Sequence, residues 1–286
     1  MRPRWWKDAL FLAAFFGAAT LFRNARAPAP HAGRAPAVSR SRLRWWKEVL
    51  YITAFYGVYS FIRNTQGSAT VSAAHAFDNA REVIRIEDAL GLYFEEGVQE
   101  AFLDWRPFIQ FWNLFYGTFH FVVTIAALVL LFRRFPARYP RWRNTLAVTT
   151  GLALIGFATY PLMPPRLLPA SYGFVDTLRV YGGLWSFESG PVAQVSNQYA
   201  AMPSLHFAWS AWSALVLYPM LVRPWSRLAA LLYPPATLFA IVVTANHYWL
   251  DAAAGALVLG VGAGAGFALA SATTRHPAGE AVPNRA

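Results

Sequence analysis

The chain has 286 residues, of which 56% are hydrophobic and 14% charged, with a formal charge of +11 and no cysteine. Soluble domains run at about 25% charged residues, so one or two soluble domains are excluded, as are a disordered chain, a disulfide scaffold, a thiolate nucleophile and a Cys-ligated metal. The apolar residues gather into runs long enough for a bilayer, and the basic residues sit in short loops between them. That pattern fits membrane orientation, not nucleic-acid binding.

In chain order the apolar runs are 9–22, 49–62, 108–132, 145–162, 204–222, 228–245 and 249–270. The first 41 residues form a hydrophobic segment with a basic linker, and they hold one copy of a repeat. RPRWWKDALFLAAFFGAATLFRNARA recurs forty positions later as RLRWWKEVLYITAFYGVYSFIRNTQG. The first copy reads as an interfacial or duplicated segment, with a signal peptide cleaved after Ala25-Arg26-Ala27 as the rival. Residues 42–271 read as a six-span, all-α polytopic helical bundle, and 272–286 as a disordered cytoplasmic tail.

Arg-rich stretches set the orientation. Residues 133–143 carry five Arg and no acid, 223–227 carry two Arg, and 23–47 carry seven basic residues and no acid. The positive-inside rule puts all three in the cytoplasm. Segment 64–107 holds eight of the fourteen acids and falls outside. The expectation is a cell-membrane protein with its C-terminus cytoplasmic. Within the outer stretch, Phe77, Ala80 and Ile84 form an apolar stripe, expected to lie on the membrane.

Ionisable residues at the ends of membrane helices are costly and mark candidate sites. His247 and Asp251 stand four residues apart, one helical turn, so the carboxylate can hold one imidazole nitrogen and leave the other free as nucleophile or base. A structural His–Asp pair fits the same spacing. Pro203-Ser204-Leu205-His206 opens the 204–222 run, where free backbone amides, a hydroxyl and an imidazole can meet an anion. A plain Ser204 N-cap and an interfacial His206 are the simpler alternative. Arg166, after Pro164-Pro165, can grip a phosphate bidentately or snorkel to headgroups. The topology brings all five residues to the outer surface. Asn113, Tyr116 and His120 share one face of the 108–132 run, where interhelical hydrogen bonding is the expectation. Gly255, Gly260, Gly262, Gly264 and Gly266 suit close helix packing.

Pro-Pro-Arg, then Pro-Ser-Leu-His, then His-Tyr-x-x-Asp with Gly255, in that order over residues 49–271, resembles the type 2 phosphatidic acid phosphatase superfamily. The closer similarity is to its inositolphosphotransferase branch, which includes inositol phosphorylceramide synthases. The resemblance implies metal-independent in-line phosphoryl transfer without a cofactor, on a lipid phosphate such as a phospholipid or a polyprenyl-type phosphate, at the outer face of the bilayer. It assigns His247 as the nucleophile that becomes phosphohistidine, Asp251 as its orienting carboxylate, His206 as general acid, and Ser204 and Arg166 as phosphate ligands. Three positions depart from the family pattern: Thr159 replaces a Lys, Leu205 a Gly and Ile241 an Arg. Two cationic phosphate ligands are therefore missing. Either Arg179, Arg106 or Arg81 replaces them, or turnover is slow, or the substrate is a phosphodiester and not a dianionic monoester. A transporter, a catalytically silent scaffold and a metal site of His206, His247 and Asp251 are the competing readings. Neither the acceptor, water or an alcohol, nor the oligomeric state is legible.

Overall fold

The structure is a computed structural model that describes residues 25, 43–65, 72–182 and 198–274. Apart from Ala25, the first copy of the repeat lies outside the described residues, as does the tail from 275. The described elements are nine α-helices: α1 (Trp45–Thr65), α2 (Ala73–Ala89), α3 (Glu95–Leu103), α4 (Arg106–Arg134), α5 (Tyr139–Thr159), α6 (Thr177–Tyr181), α7 (Leu205–Leu217), α8 (Pro224–Val243) and α9 (Trp249–Thr274). No strand is present among the described residues, and the all-α bundle expected from the sequence is what forms.

Helix starts and stops follow local chemistry. Proline in the first turn opens α4, α5 and α8, where its missing N–H costs nothing. Arg133 and Arg134 close α4, favourably placed against the negative end of the helix dipole. Helices Arg106–Arg134, Pro224–Val243 and the Trp249–Ala272 part of α9 are long and apolar enough to cross a membrane. By length and apolarity, three of the six expected spans qualify among the described residues. The shortest of the others is α7, whose 13 residues rise about 20 Å, less than a hydrocarbon core of about 30 Å. It ends in a 3-10 turn, Tyr218–Met220, not in a continuous helix to 222.

Leu228, Leu231 and Leu232 on α8, Leu257, Val261 and Leu269 on α9, and most of the α1 surface are exposed large apolar residues. Hydrocarbon, not water, is the solvent that such a surface matches. Between helices, buried polar contacts hold register. Trp212 donates its indole N–H to Trp142 O (3.0 Å), Trp209 to Thr150 Oγ1 (3.0 Å), and the Thr124 and Ser213 hydroxyls pair at 3.2 Å. At the Arg-rich end, Glu48 of α1 takes Arg143 Nη1 on both oxygens (2.8 and 2.6 Å) and the Tyr139 hydroxyl (3.1 Å), which ties α1 to α5.

The opposite end is roofed by α2 and α3. Here the apolar stripe of α2 faces protein. Ala76, Ala80 and Val83 are buried against Leu162, Met163, Leu168 and Tyr248, with Phe77 and Ile84 packed beside them. The sequence pattern identified the stripe but not its partner, since the same moment serves a bilayer or a loop. The roof holds the 160–182 segment by side chain to backbone bonds: Asn79 Nδ2 to Pro161 O (2.8 Å), Gln99 to both the N–H and C=O of Val175 (2.8 and 3.0 Å), and Asn113 of α4 to the carbonyls of Thr177 and Gly182 (2.9 and 3.2 Å).

The tightest helix contacts involve α9. Gly262 and Gly266 abut Thr149 and Thr145 of α5, and a Cβ on Gly255 would lie 2.5 Å from the Ser204 carbonyl. A Cβ on Gly264 meets nothing within 4 Å. Overpacking such a contact costs about 1–3 kcal/mol. Gly255→Ala is therefore expected to lower the thermal midpoint of the purified protein in detergent. Gly264→Ala should leave it unchanged. Equal midpoints for the two variants would show that the close approach of Ser204 is not fixed.

Candidate active site

The site assembles where the starts of α7 and α9 meet beneath the roof. α8 ends at Thr244, and Ala245, fully buried, adopts φ 54°. A left-handed conformation costs a non-glycine residue roughly 1–2 kcal/mol. Here it points the Ala245 carbonyl at the backbone N–H of Arg166 (2.8 Å). The turn then delivers His247, 4% exposed, just before α9 begins.

Asp251, in the first turn of α9, is fully buried. Its Oδ2 accepts two hydrogen bonds: one from His247 Nδ1 (3.1 Å) and one from the Tyr248 backbone N–H (3.1 Å). The second is half of a capping box, in which the third helical residue caps the residue before the helix. With Nδ1–H donated to the carboxylate, the His247 lone pair is on Nε2. That nitrogen faces His206 Nδ1 at 3.3 Å. In the tautomer that donates Nδ1–H to Asp251 and leaves Nε2 bare, His206 donates to His247 and His247 to Asp251.

His206 sits in the first turn of α7, half-buried. Tyr116 of α4 stacks on its ring (centroids 4.2 Å apart, 25° between planes), and His120 meets it edge-on at 4.3 Å. His120 donates Nδ1–H to Tyr116 O (3.0 Å). Ser204 is the N-cap of α7, its Oγ accepting from Phe207 N (3.4 Å), and its own N–H donates to Asp251 O (2.9 Å). That backbone bond joins the two helix starts, and only the missing side chain of Gly255 allows the approach.

Arg166 lies in a short 3-10 turn, Pro165–Leu167. Its backbone is tied to the His247 turn through Ala245, and its Nη1 pairs with Asp176 Oδ2 at 3.2 Å. Asp176 also caps α6 through Arg179 N (3.1 Å). The three candidate replacement cations lie elsewhere. Arg81 pairs with Asp78 at 3.7 Å on the exposed side of α2, and Arg106 and Arg179 are exposed.

The structure thus brings His206, His247 and Asp251 into one hydrogen-bonded chain, with Ser204 bonded to Asp251 and Arg166 anchored to the same turn. The nitrogens and the carboxylate face one another in sequence. No group of three or more His, Asp or Glu side chains gathers as a metal centre among the described residues. Asn113 has the hydrogen-bonding role expected of it, toward the 177–182 segment. Tyr116 and His120 belong instead to the wall of the site. Their i, i+4 spacing was visible, but not the ring they pack against. Asp176, and the buried Glu87 and Glu95 of the roof, carried no distinguishing signal in the sequence.

No curated protein and no solved structure was found to match the chain. The model of the PAP2 superfamily matches residues 81–265, well over half of the length, and includes Arg166, Ser204, His206, His247 and Asp251. The matched region starts in the roof helix α2 and ends within α9, so it covers every element that builds the imidazole pair. The chain belongs to the PAP2 superfamily, whose members are phosphatases.

Proposed function

We propose that the chain is a membrane lipid phosphatase or phosphotransferase of the inositolphosphotransferase-like kind, working through a phosphohistidine on His247. The observation that carries this is the 3.3 Å approach of His206 Nδ1 to His247 Nε2, with His247 Nδ1 on Asp251. In the first step His247 Nε2 attacks phosphorus in line, the bond to the leaving oxygen breaks, and His206 gives that oxygen a proton. In the second, water or an alcohol attacks, His206 takes its proton, and the P–N bond breaks. Asp251 stabilises the charged His247 ring throughout. Arg166 and Ser204 hold the equatorial oxygens, since phosphoryl transfer asks mainly for positioning and positive charge.

The site end faces the extracytoplasmic side of the cell membrane in this reading, because the Arg-rich 133–143 turn lies at the opposite end of α4 and α5. The electrostatics favour a substrate of low charge. Thr159 is exposed and bonds its own helix through Ile155 O (2.8 Å), while Ile241 is fully buried. The remaining guanidinium, Arg166, is already shared with Asp176. One partly neutralised cation suits the single charge of a phosphodiester better than a dianionic monoester.

Purified protein offered phosphatidic acid, polyprenyl pyrophosphate and phosphatidylinositol, with and without an alcohol acceptor, is expected to release phosphate or headgroup. Acid-labile label should be trapped on wild-type protein and be lost in His247→Ala. His206→Ala and Asp251→Asn should each lower kcat by roughly 10²–10⁴. Activity unchanged in the His247 and His206 variants would overturn the enzyme reading in favour of a silent scaffold.

Removal of the Asp176 charge raises the net positive charge around Arg166. Asp176→Asn is therefore expected to raise turnover of monoesters relative to diesters by about tenfold, the effect of one net charge on a close ion pair at about 1.4 kcal/mol. A ratio that does not move would show that Asp176 does not set charge preference.

A further inference from the structure

The start of α9 carries both His247 and Asp251, and its first amides need partners. They find them in two carboxylates from the roof. The Trp249 N–H donates to Glu95 Oε1 (3.3 Å), and the Leu250 N–H donates to Glu87 Oε1 (2.8 Å). Glu87 closes α2 and Glu95 opens α3, and both are buried, at 1% and 0% exposure. The turn between them adds Leu92 O, which accepts the Trp249 indole N–H (2.7 Å), and Phe94, whose ring lies 5.3 Å from that of Trp249. Asp251 Oδ2 takes the preceding amide, that of Tyr248. Three carboxylates therefore hold three successive N–H groups beside the imidazole pair.

We propose that Glu87 and Glu95 are positioning residues, which act through the backbone of α9 to hold His247 Nε2 in line with the phosphate while touching neither substrate nor imidazole. This rests on the phosphohistidine reading for its catalytic consequence, though not for the clamp itself. Charge balance makes the arrangement possible. The titratable groups facing Glu87 are Glu95 and Tyr93 from the roof hairpin, and Asp251 and Tyr248 from α9 and its turn. Glu96 and Tyr172 stand behind Tyr93. Burial and the neighbouring Glu95 carboxylate push Glu87 up to about 9. Glu87 thus favours its neutral form at neutral pH, which limits the negative charge buried beside the helix start.

The sign of the pH effect follows. Folded Glu87 holds its proton up to about pH 9, whereas the unfolded side chain releases it near 4.5. Its contribution is complete below pH 4.5, declines as pH rises toward 9 and is flat beyond. Glu87→Gln keeps the acceptor for Leu250 and a donor for Glu95 but cannot ionise.

Hydrogen exchange of full-length protein in lipid nanodiscs, followed by mass spectrometry, reads the clamp without any substrate. Glu87→Ala and Glu95→Ala are expected to speed exchange at Trp249 and Leu250 by tenfold or more, with the α4 peptides unchanged. In the same variants kcat should fall by about tenfold to a hundredfold, the scale of a small misplacement, with KM altered by less than about twofold, and Glu87→Gln should restore kcat. Unaltered exchange at 249–250 in Glu87→Ala overturns the clamp, whatever lipid is or is not turned over. Faster exchange in a protein whose wild type cleaves none of the lipids leaves the clamp standing and overturns the phosphohistidine reading. Should Glu87→Ala fail to fold, the thermal midpoint of Glu87→Gln decides. It should lose less than wild type between pH 6 and 9, and an identical loss would overturn the placing of a buried Glu87 carboxyl against the start of α9.

Discussion

A fully buried carboxylate at the start of α9 sets the geometry of everything around it. Asp251 cannot be solvated where it lies: its Oδ2 is met by two donors while its Oδ1 is buried without one, and a buried charge without any partner would cost several kcal/mol. The donors are His247 Nδ1–H and the Tyr248 N–H. The first fixes the imidazole tautomer and the second fixes the helix start, so a single oxygen couples side-chain chemistry to backbone position. The Asp251 carbonyl then receives the Ser204 N–H, and the start of α7, with His206 two residues on, is placed relative to the same residue. Helix geometry, proton inventory and the approach of the two imidazoles are consequences of one burial.

The same constraint decides which helix end can serve an anion. Two helix N-termini converge, and in principle either offers free amides and a positive dipole end. At α9 those amides are already taken by Glu87, Glu95 and Asp251, and the local field is negative. A phosphate would be repelled there. At α7 the cap is a neutral hydroxyl, Ser204, and the next charged group across the site is Arg166, tethered through Ala245. The proposed phosphate position, over the start of α7 and beside Arg166, follows from where the acids are not. In the proposed mechanism this asymmetry gives one helix the holding of His247 and the other the phosphate ligands.

How much of this could be read from the sequence depended on the range of each interaction. The His247–Asp251 bond is one helical turn and was legible from spacing alone. The His206–His247 approach spans 41 residues, and only the order of motifs, with the alternation of spans, pointed to it. Arg166 was legible as a residue fixed by prolines, but Asp176, ten residues on, was hidden in a polar loop. Glu87 and Glu95 were visible as members of an acid-rich stretch and illegible as anything more, since their partners are backbone amides that every residue carries. The stripe of α2 was recognised while its target was not, because hydrophobic periodicity reports that a face is covered and not by what. The short α7 likewise shows that an apolar run of 19 residues, 204–222, need not be one helix.

The hydrogen-bonded imidazole pair has a mechanical implication. The proposed in-line attack needs phosphorus between His247 Nε2 and the leaving oxygen, and His206 beyond that oxygen, so on this reading two nitrogens at 3.3 Å would separate by several ångström when substrate enters. His247 is held through Nδ1 by Asp251, through its turn by Ala245 and Arg166, and through α9 by the roof carboxylates. His206 lies against Tyr116 and His120, and ring contacts of that kind are worth about 0.5–1.5 kcal/mol. In the proposed mechanism the His206 N–H covers the lone pair of His247 Nε2 until substrate enters. A phosphate able to replace that N–H with its own contacts to Arg166 and Ser204 uncovers the nitrogen and puts the displaced proton within reach of the oxygen that must leave.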